Sequence, residues 1–384
     1  MKNFARAEIV VNLDDIAGNI KILRKMVSQD TMVMAVVKAD GYGLGMCEAA
    51  KTVIEAGADW LGVATVKEGV TLRRAGLDAP ILVFCPVFED EFESIVMERL
   101  TTTFFSLAAC QKLSLIALRL SKTAKVHIKL DTGLNRLGYK PDNMDAVVGE
   151  VLAISKLPGI HIGGVYSHLA TSDCDAVFAA EQLDKFFSMI EKLEGAGVRF
   201  PLKHISNSGG VLNHPECNLD MVRCGILTYG MAPCSSPQGA VQIEKLGFRQ
   251  AFTFKSRVGH VKTVRAGESV GYSRKYFAEK EITVATVLVG YADGLSRQLS
   301  NKGRVLINGR YCDIIGNICM DQFMVDATGV GAEIGDEVII IGRSGGERIL
   351  AEDVAGLQGS INYEVATALS MRGAKRYIHN IALK

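Results

Sequence analysis

A lysine near the amino terminus stands where an apolar run ends and a glycine-rich segment begins. Lys38 closes the run MVMAVVK, and glycines follow at positions 41, 43 and 45, with Tyr42 between the first two. In barrels of parallel strands, catalytic side chains lie at the carboxyl ends of the strands, and glycines let the backbone approach an anionic ligand closely. Most lysines that end a strand are solvated surface charges, but these glycines favour an amine that acts beside an anion site.

Three further residues whose side chains could take part in a reaction lie later in the chain. Arg223 stands in Met-Val-Arg-Cys-Gly-Ile, Ser208 precedes two glycines, and Tyr272 follows a glycine. Taken singly, each has a more ordinary interpretation: a solvated charge, a glycine-rich turn or a turn aromatic. A phenol has a pKa of about 10, so Tyr272 needs nearby positive charge or hydrogen-bond donors to act as a base near neutral pH.

The composition excludes several classes of protein. Among 384 residues, 43 Lys and Arg face 42 Asp and Glu, so no broad field would draw the protein to nucleic acid or to an anionic membrane. Hydrophobic residues make up 48%, which is enough for a large core. The 39 glycines show no G-X-Y period, which excludes a collagen-like chain.

Cysteine spacing and the lengths of the apolar runs bear on the compartment. The nine cysteines include no C-x-x-C pair, so the sequence predicts no metal site and no disulfide framework. No apolar run approaches the roughly 18 residues of a membrane span, and charges interrupt the first apolar stretch, so no signal peptide is expected. We therefore expect a cytoplasmic protein with reduced thiols and no membrane partner.

The elements that must position these residues alternate between strands and helices over the first two-thirds of the chain. Helical spacing covers 12–29, 47–57, 66–75 and 89–99, and apolar runs indicate strands at 32–37, 60–64, 80–84, 101–105, 126–130, 160–167, 204–206 and 221–225. About eight βα repeats predict a (β/α)8 barrel of the TIM type. A doubly wound open sheet is the alternative, but no G-x-G-x-x-G turn follows an early strand.

The pattern changes after the turn-rich segment 232–239. Short alternating strands separated by glycine and asparagine turns are predicted at 252–258, 282–289, 304–307, 313–315, 323–326 and 337–341, with a helix over 361–373. We therefore predict an α/β barrel domain over residues 1–242, followed by a C-terminal all-β domain over residues 243–384.

Nine segments in order resemble the alanine racemase family. Residues 37–45, Val-Lys-Ala-Asp-Gly-Tyr-Gly-Leu-Gly, are similar to the segment to which these enzymes attach pyridoxal phosphate (PLP). The other matching segments are 129–138, 166–170, 204–208, 221–226, 270–273, 290–294, 316–321 and 361–364. The matches extend over both predicted domains, and their order is stronger evidence than any one of them.

The resemblance implies a PLP-dependent racemase that interconverts L- and D-alanine with two bases. Lys38 matches the lysine that bonds to PLP and then serves as base on one face of the substrate α-carbon. Tyr272 matches the base on the opposite face, which the partner subunit of a homodimer supplies. Arg136 and His168 match the polar network around that tyrosine. Arg223 matches the residue that faces the pyridine nitrogen, where many PLP enzymes place a carboxylate.

The resemblance also implies the remaining contacts. The phosphate cradle and the rest of the cofactor site correspond to Tyr42, His204, Asn207, Ser208, Gly225, Ile226 and Tyr363. The backbone amide of Met320, again from the partner, matches a contact to the substrate carboxylate, which Arg136 also approaches. Lys129 matches a position that is carbamylated in some relatives, and an unmodified structural lysine is the other interpretation.

Two departures from the family pattern bear on substrate preference. Asn135 stands where many relatives carry glycine, and the segment 366–376 lacks the usual Val-Pro pair. A racemase for serine or for a broader set of amino acids is therefore an alternative. Barrel-type PLP decarboxylases share the predicted architecture but usually pair the pyridine nitrogen with a carboxylate, so Arg223 argues against them. A PLP-carrying protein without activity is disfavoured by the β domain and Tyr272.

Overall fold

A computed structural model describes residues 6–369, 372 and 374–379, in two compact units. One unit comprises residues 20–41 and 46–228, and the other comprises the described residues of 6–19, 42–45 and 229–379. The expected lack of a signal peptide rests on the first segment of the chain, and residues 1–5 of that segment lie outside the described residues. So do Ser370, Met371 and Gly373 of the atypical C-terminal segment.

The first unit is built on eight parallel strands. The chain opens with β1 (Ala7–Asn12), which belongs to the other unit, and the barrel strands follow as β2 (Met32–Val36), β3 (Trp60–Val63), β4 (Ile81–Val83), β5 (Thr101–Phe104), β6 (Ala124–Lys129), β7 (Ile160–Tyr166), β8 (Lys203–His204) and β9 (Met221–Cys224). They pair in the order β8-β7-β6-β5-β4-β3-β2-β9. The amides of Asp220 and Arg223 donate to the carbonyl oxygens of Lys203 and Ser206 and close the barrel. The predicted (β/α)8 barrel is confirmed.

Helices alternate with these strands, as the periodicity predicts. In the described part of the first 228 residues they are Leu13–Met26, Met46–Glu55, Val66–Arg74, Phe92–Met97, Leu107–Arg119, Met144–Ser155, Ala176–Gly195 and the short Ser208–Asn213, with one irregular turn at Lys38–Tyr42. The strands read as continuous apolar runs because both of their faces are covered. Met34, Leu82 and Met221, for example, are fully buried and pack together. None of the helices in the described part of the chain has the length and apolar character that a bilayer crossing requires.

The second unit is built on β strands. Besides β1 they are β10 (Phe252–Val264), β11 (Ser269–Val270), β12 (Tyr276–Phe277), β13 (Ile282–Val287), β14 (Arg304–Ile307), β15 (Arg310–Ile315), β16 (Phe323–Asp326), β17 (Glu337–Ser344), β18 (Glu347–Ile349) and β19 (Ala374–Ile378). Nine of them form one sheet in the order β18-β17-β14-β15-β16-β13-β10-β1-β19, and β11 pairs separately with β12. Its helices are Pro237–Lys245, Ala351–Gln358 and Asn362–Ala368. The predicted C-terminal β domain is confirmed.

Two features of this sheet differ from the sequence pattern. The predicted helix over 361–373 is observed only at Asn362–Ala368, and β19 begins at residue 374. β1 was not predicted as a strand, yet it is hydrogen-bonded between antiparallel β10 and parallel β19. Both partners are far away in the sequence, so no local period indicates this strand. The two compact units therefore do not coincide with the predicted domains 1–242 and 243–384. That domain division stays a prediction.

Candidate active site

The carboxyl ends of the barrel strands bring the predicted site residues of this unit together. Lys38 follows β2, Lys129 ends β6, His204 ends β8, and Arg223 lies in β9, which pairs with β2. His168 follows the end of β7. Strand ends at this rim are where barrel enzymes carry their catalytic side chains, because the βα loops above them leave room for a ligand.

Lys38 is held by a strained turn that follows it. Ala39, Asp40 and Gly41 adopt left-handed φ angles of 52°, 53° and 63°. This conformation is unfavourable for the two residues that carry a Cβ. Glu68 supports the turn, because its carboxylate accepts the amide of Ala39 (2.7 Å) while also capping its own helix. The strain is thus compensated at the residue directly after the lysine.

The amine of Lys38 is made less basic by its surroundings. Burial lowers the pKa of Lys38, and the positive charge of Arg136 lowers it further, while Cys85 and Glu68 act in the opposite direction. A lower pKa raises the share of neutral amine near neutral pH, and only the neutral amine is a nucleophile or a base. The lysine selected by the sequence therefore has the electrostatic setting that its predicted role requires.

Arg223 is the centre of the polar network in the barrel. It is 3% exposed, and its Nη2 donates to the carbonyl oxygens of Ser167 (2.7 Å) and Ile205 (3.0 Å). The guanidinium also donates to Nδ1 of His204 (2.9 Å) and to Nδ1 of His168 (3.1 Å). Burial lowers the pKa of Arg223 to about 10, so the group stays charged at neutral pH. No carboxylate among the described residues forms an ion pair with Arg223.

Tyr166, a site residue that the sequence analysis missed, organises the centre of this network. Its ring stacks on His204 with centroids 4.9 Å apart and planes 3° apart. Nζ of Lys129 lies 4.5 Å from the same ring, and the Arg223 guanidinium lies 5.2 Å from it. The hydroxyl of Thr103 donates to a carbonyl, so the Tyr166 phenol donates to Thr103 (2.8 Å). The only sequence signal was its place beside His168 in a matching segment.

Lys129 is buried in the same cluster, and its surroundings disfavour the charged form of its amine. Burial, followed by the charge of Arg223, lowers the pKa of Lys129 well below its ordinary value, although Asp131 acts in the opposite direction. Arg223 stays charged and the Arg136 guanidinium lies nearby, so this end of the barrel carries positive charge that suits an anionic ligand, although Asp131 and Glu68 offset part of it.

Ser208 and Asn207 open a short helix at the carboxyl end of β8. Oγ of Ser208 accepts the amide of Gly225 at 3.0 Å, so its own hydrogen is left to donate. Oδ1 of Asn207 accepts the amide of Gly210 and the Ser172 hydroxyl, which makes Asn207 a helix cap in this structure. Ile226, 1% exposed, follows Gly225 at the end of β9.

Asn135, where the resemblance leads us to expect glycine in many relatives, has a backbone conformation that suits asparagine. Its φ is 56°, in the left-handed region that glycine and asparagine occupy most readily. Its amide donates to Oδ1 of Asp131 (2.9 Å), and its own side-chain amide donates to the carbonyl of Gly133 (3.2 Å). Asparagine is therefore accommodated in the turn beside the exposed Arg136.

Four predicted site residues belong to the other compact unit. There, the ring of the buried Tyr42 lies 6.1 Å from that of the half-buried Tyr363. Tyr272 and Met320 are exposed, at 71% and 52%. Asn317 donates to the carbonyl of Tyr272 (2.8 Å), so the backbone at this tyrosine is held although its side chain is exposed.

Gln182 was also missed by the sequence analysis, since nothing local distinguishes it from other helix residues. It is fully buried; its Oε1 accepts the amide of Ala170 (2.8 Å), and its Nε2 donates to the carbonyl of His168 (3.1 Å) and to Thr132 Oγ1 (3.2 Å). Gln182 thus clamps the turn that carries His168.

Replacing Gln182 by leucine should lower the free energy of unfolding by about 2–4 kcal/mol, because the Ala170 amide and the His168 carbonyl would lose their buried partner. Urea unfolding measures the change. Glu181→Ala, at the exposed neighbouring position of the same helix, should change it by less than about 0.5 kcal/mol. A Gln182→Leu value as small as that of Glu181→Ala would contradict the clamp.

Two buried histidines should make stability depend on pH. Burial, followed by the charge of Arg223, lowers the pKa of His127 to about 3 and that of His204 well below its ordinary value. Above pH 6.5 both are neutral in the folded and unfolded states, so this contribution to stability is fully present there. Below pH 6.5 only the unfolded chain takes up these protons, and each histidine removes about 1.4 kcal/mol per pH unit.

The free energy of unfolding should therefore be several kcal/mol lower at about pH 5 than at about pH 7.5, in urea titrations without added ligand. His260, which is exposed, provides the control. His260→Ala should leave the difference between the two pH values unchanged. Equal stability of the unaltered protein at both values would show that the buried histidines do not stay neutral.

A closed parallel barrel with a less basic lysine and a buried arginine at the carboxyl ends of its strands has the architecture of a barrel enzyme. Sequence models of the alanine racemase N-terminal and C-terminal domains match residues 11–233 and 251–377. The chain belongs to the alanine racemase family, a family of isomerases. The resemblance in the nine segments is confirmed.

Individual relatives agree over the whole chain. An alanine racemase of Caldanaerobacter subterraneus is 40% identical over 373 residues, 97% of this chain and 94% of its own length. The alanine racemase of Streptomyces lavendulae has a similar structure, with a TM-score of 0.93 at 34% identity and 98% of both chains covered. One from Bartonella henselae, with covalently bound pyridoxal phosphate, gives a TM-score of 0.86 at 27% identity, covering 98% of this chain and 100% of that one.

Proposed function

We propose that this protein interconverts L- and D-alanine with PLP bound to Lys38, by a two-base mechanism. The observation that carries the proposal is the lowered pKa of Lys38 at the end of β2, in a barrel rim that also holds the buried, charged guanidinium of Arg223. Family membership supplies the reaction, and the geometry supplies a lysine in the right electrostatic setting for it.

The residues at the rim fit PLP. Its phosphate is an anion, and Ser208 has a hydroxyl hydrogen left to donate to it. The backbone at Gly225 and Ile226 would complete this side of the phosphate site, with the Gly225 amide holding the Ser208 oxygen in place. The ring would lie near His204 and Arg223, and Arg223 has no carboxylate partner among the described residues. Asn207 would contribute by holding the start of the helix that Ser208 opens. When bound, PLP withdraws the electron pair that remains at the α-carbon after a proton leaves.

Arg223 would face the pyridine nitrogen with a group that only donates. Its guanidinium hydrogens are directed to His204, His168 and two carbonyl oxygens, and it stays charged at neutral pH. A guanidinium does not give up its proton readily, so the pyridine nitrogen would stay unprotonated and the ring would draw electrons less strongly. We infer that this limits side reactions such as transamination.

Two bases on opposite faces would move the α-proton. Nζ of Lys38 would take or return it on one face, and the Tyr272 phenol would do so on the other. Arg223 donates to Nδ1 of His168, so a neutral His168 carries its proton on Nε2 and donates from that nitrogen. His168 and Arg136 would form the polar network around the phenol, and Tyr42 and Tyr363 would complete the phosphate cradle.

We propose that Tyr272 and Met320 act in the site of the partner subunit of a homodimer. Both are exposed although they belong to matching family segments, and each has its backbone held by neighbours. The Met320 amide, with Arg136, would contact the substrate carboxylate. Carbamylation of Lys129 is also proposed, because that reaction requires a neutral amine and the pKa of Lys129 is strongly lowered.

Deuterium exchange tests the reaction. In deuterated water, either alanine enantiomer should gain deuterium at the α-carbon while the other enantiomer accumulates. Exchange without interconversion would contradict the two-base scheme. Comparing kcat/KM for alanine and serine tests the substrate, and a higher value for serine would replace alanine in the proposal.

Mixed dimers test the shared site. Lys38→Ala and Tyr272→Phe chains should each be inactive alone, and together they should form dimers with one intact site and about half of the normal activity per dimer. Purification through two different affinity tags verifies the mixture. Mixing Lys38→Ala with a second, differently tagged Lys38→Ala chain is the control and should stay inactive. Verified mixed dimers without activity would contradict a site built from two subunits.

A further inference from the structure

The hydrogen-bond chain that begins at Arg223 continues beyond His204 to a second histidine. Nε2 of His204 lies 3.0 Å from Nδ1 of His127 on β6. Both rings are fully buried. The proposed mechanism uses Arg223 and His204 but assigns nothing to His127.

The direction of every hydrogen in this chain follows from its first member. A guanidinium only donates, so Nδ1 of His204 must accept from Arg223 (2.9 Å). A neutral His204 then carries its proton on Nε2, and Nδ1 of His127 is the acceptor for it. His127 must therefore hold its own proton on Nε2.

The surroundings of His127 fit a ring that is placed for one contact. A Cβ at Gly164 would lie 2.9 Å from Cε1 of His127 and 2.8 Å from the carbonyl of Leu202, so glycine at this position makes room for the imidazole. On the other side, the ring centroids of His127 and Trp60 are 5.6 Å apart. Nε2 of His127 has no hydrogen-bond partner among the described residues. The packing holds the ring so that Nδ1 meets His204.

We propose that His127 is a positioning residue, which fixes the tautomer of His204 and thereby the orientation of the Arg223 guanidinium at the PLP ring. The proposal rests on the proposed function through the placement of Arg223 at the pyridine nitrogen. Without an acceptor at position 127, the Nε2–H of His204 would be buried unpaired. In the other tautomer, His204 would carry its proton on Nδ1. That N–H would then face the Arg223 guanidinium, so two donors would meet without an acceptor.

The chain acts through geometry rather than through proton transfer. Burial and the neighbouring guanidinium keep both imidazoles neutral, since the pKa of each is strongly lowered. The ring of His204 is also fixed in its plane by stacking on Tyr166. What position 127 must supply is therefore a hydrogen-bond acceptor at a fixed place.

Two substitutions of His127 distinguish the effect of losing the hydrogen-bond acceptor from the effect of changing the side-chain volume. His127→Asn keeps an acceptor oxygen near the place of Nδ1, and His127→Leu fills similar space without one. Labelling the full chain with ¹⁵N-histidine reports the tautomer of each imidazole, with and without PLP. Native protein and His127→Asn should show His204 protonated at Nε2 alone, and His127→Leu should show a tautomer mixture. In the native protein, His127 should also be protonated at Nε2.

The loaded enzyme provides a second readout. His127→Leu should reduce kcat for alanine about tenfold, with KM changed less than about twofold, because Arg223 would contact the PLP ring and not the substrate. It should also shift the visible absorption band of bound PLP. His127→Asn should restore most of kcat and the native band. His161→Leu, at an exposed position on the neighbouring strand β7, is the control and should change neither.

Three results would overturn the proposal. One is a native protein in which His127 is protonated at Nδ1, which needs no variant to be stable. Another is an unchanged His204 tautomer in His127→Leu, and the third is equal loss of kcat in the Asn and Leu variants. If the native protein neither binds PLP nor racemises alanine, the proposed function fails, and the tautomer measurements still decide the role of His127.

Discussion

Replacing Lys38 by alanine is expected to abolish racemisation of alanine and the visible absorption of enzyme-bound PLP together. In the proposed mechanism the amine is both the attachment point and one of the two bases, and loss of a positioned base alone reduces the rate by about 10²- to 10⁴-fold. The Lys38 side chain is also the group whose pKa the barrel lowers. Absorption spectra after gel filtration, with kcat measured in both directions, check both expectations.

Lys51 provides the control for this experiment, because its loss should have no effect. Lys51 lies in the helix Met46–Glu55 with its charge exposed and paired to Glu48 at 3.6 Å. Lys51→Ala should retain both the band and the rate, because an exposed ion pair contributes little. If Lys38→Ala kept the band after gel filtration, Lys38 would not be the attachment residue. If it kept the rate, the two-base scheme would be wrong.

Substitution of Arg223 is expected to have the second largest effect. Four acceptors face its guanidinium: Nδ1 of His204, Nδ1 of His168 and two carbonyl oxygens. In Arg223→Glu, at most one of them would find a donor, because a protonated carboxyl has a single hydrogen. We expect kcat to fall roughly 10²-fold, as it does when a preorganised donor is removed from a site.

Arg223→Lys is the matched variant, because it keeps the charge but has three donors in place of the planar fork. Its kcat should fall between that of Arg223→Glu and that of the native enzyme. In Arg223→Glu the carboxyl could protonate the pyridine nitrogen, so transamination of alanine to pyruvate should increase. The absence of pyruvate in Arg223→Glu would argue against the inferred effect of Arg223 on side reactions, and equal kcat in both variants would show that the number of donors is unimportant.

Much of the barrel and the choice of Lys38 could be predicted from the sequence. Barrel strands are covered on both faces, so they read as continuous apolar runs, and the helices between them keep a period near 3.6. Lys38 could be recognised because its glycines follow it directly in the chain. The order of the nine segments was enough to predict the family, which the two domain matches confirm.

Contacts between distant residues were not accessible in this way. β1 was missed because Glu8 interrupts its short apolar run. The ion pairs that allow Glu8 to be buried are with Lys255 and Arg376, more than two hundred residues away. Tyr166, His127 and Gln182 were missed for a similar reason. Each is a common residue in an ordinary element, and its role arises from what the closed barrel places beside it.

By itself, the sequence determined the alternation of strands and helices, the change to a β-rich second part, and the lysine and arginine on which the chemistry is proposed to depend. Only the tertiary structure decided how that chemistry is tuned. Closing the barrel puts Arg223 beside His204 and His168 and removes water from Lys38 and Lys129, which lowers the pKa of both amines. Local periodicity is written in neighbouring residues, but desolvation and hydrogen-bond direction depend on groups that only the fold brings together.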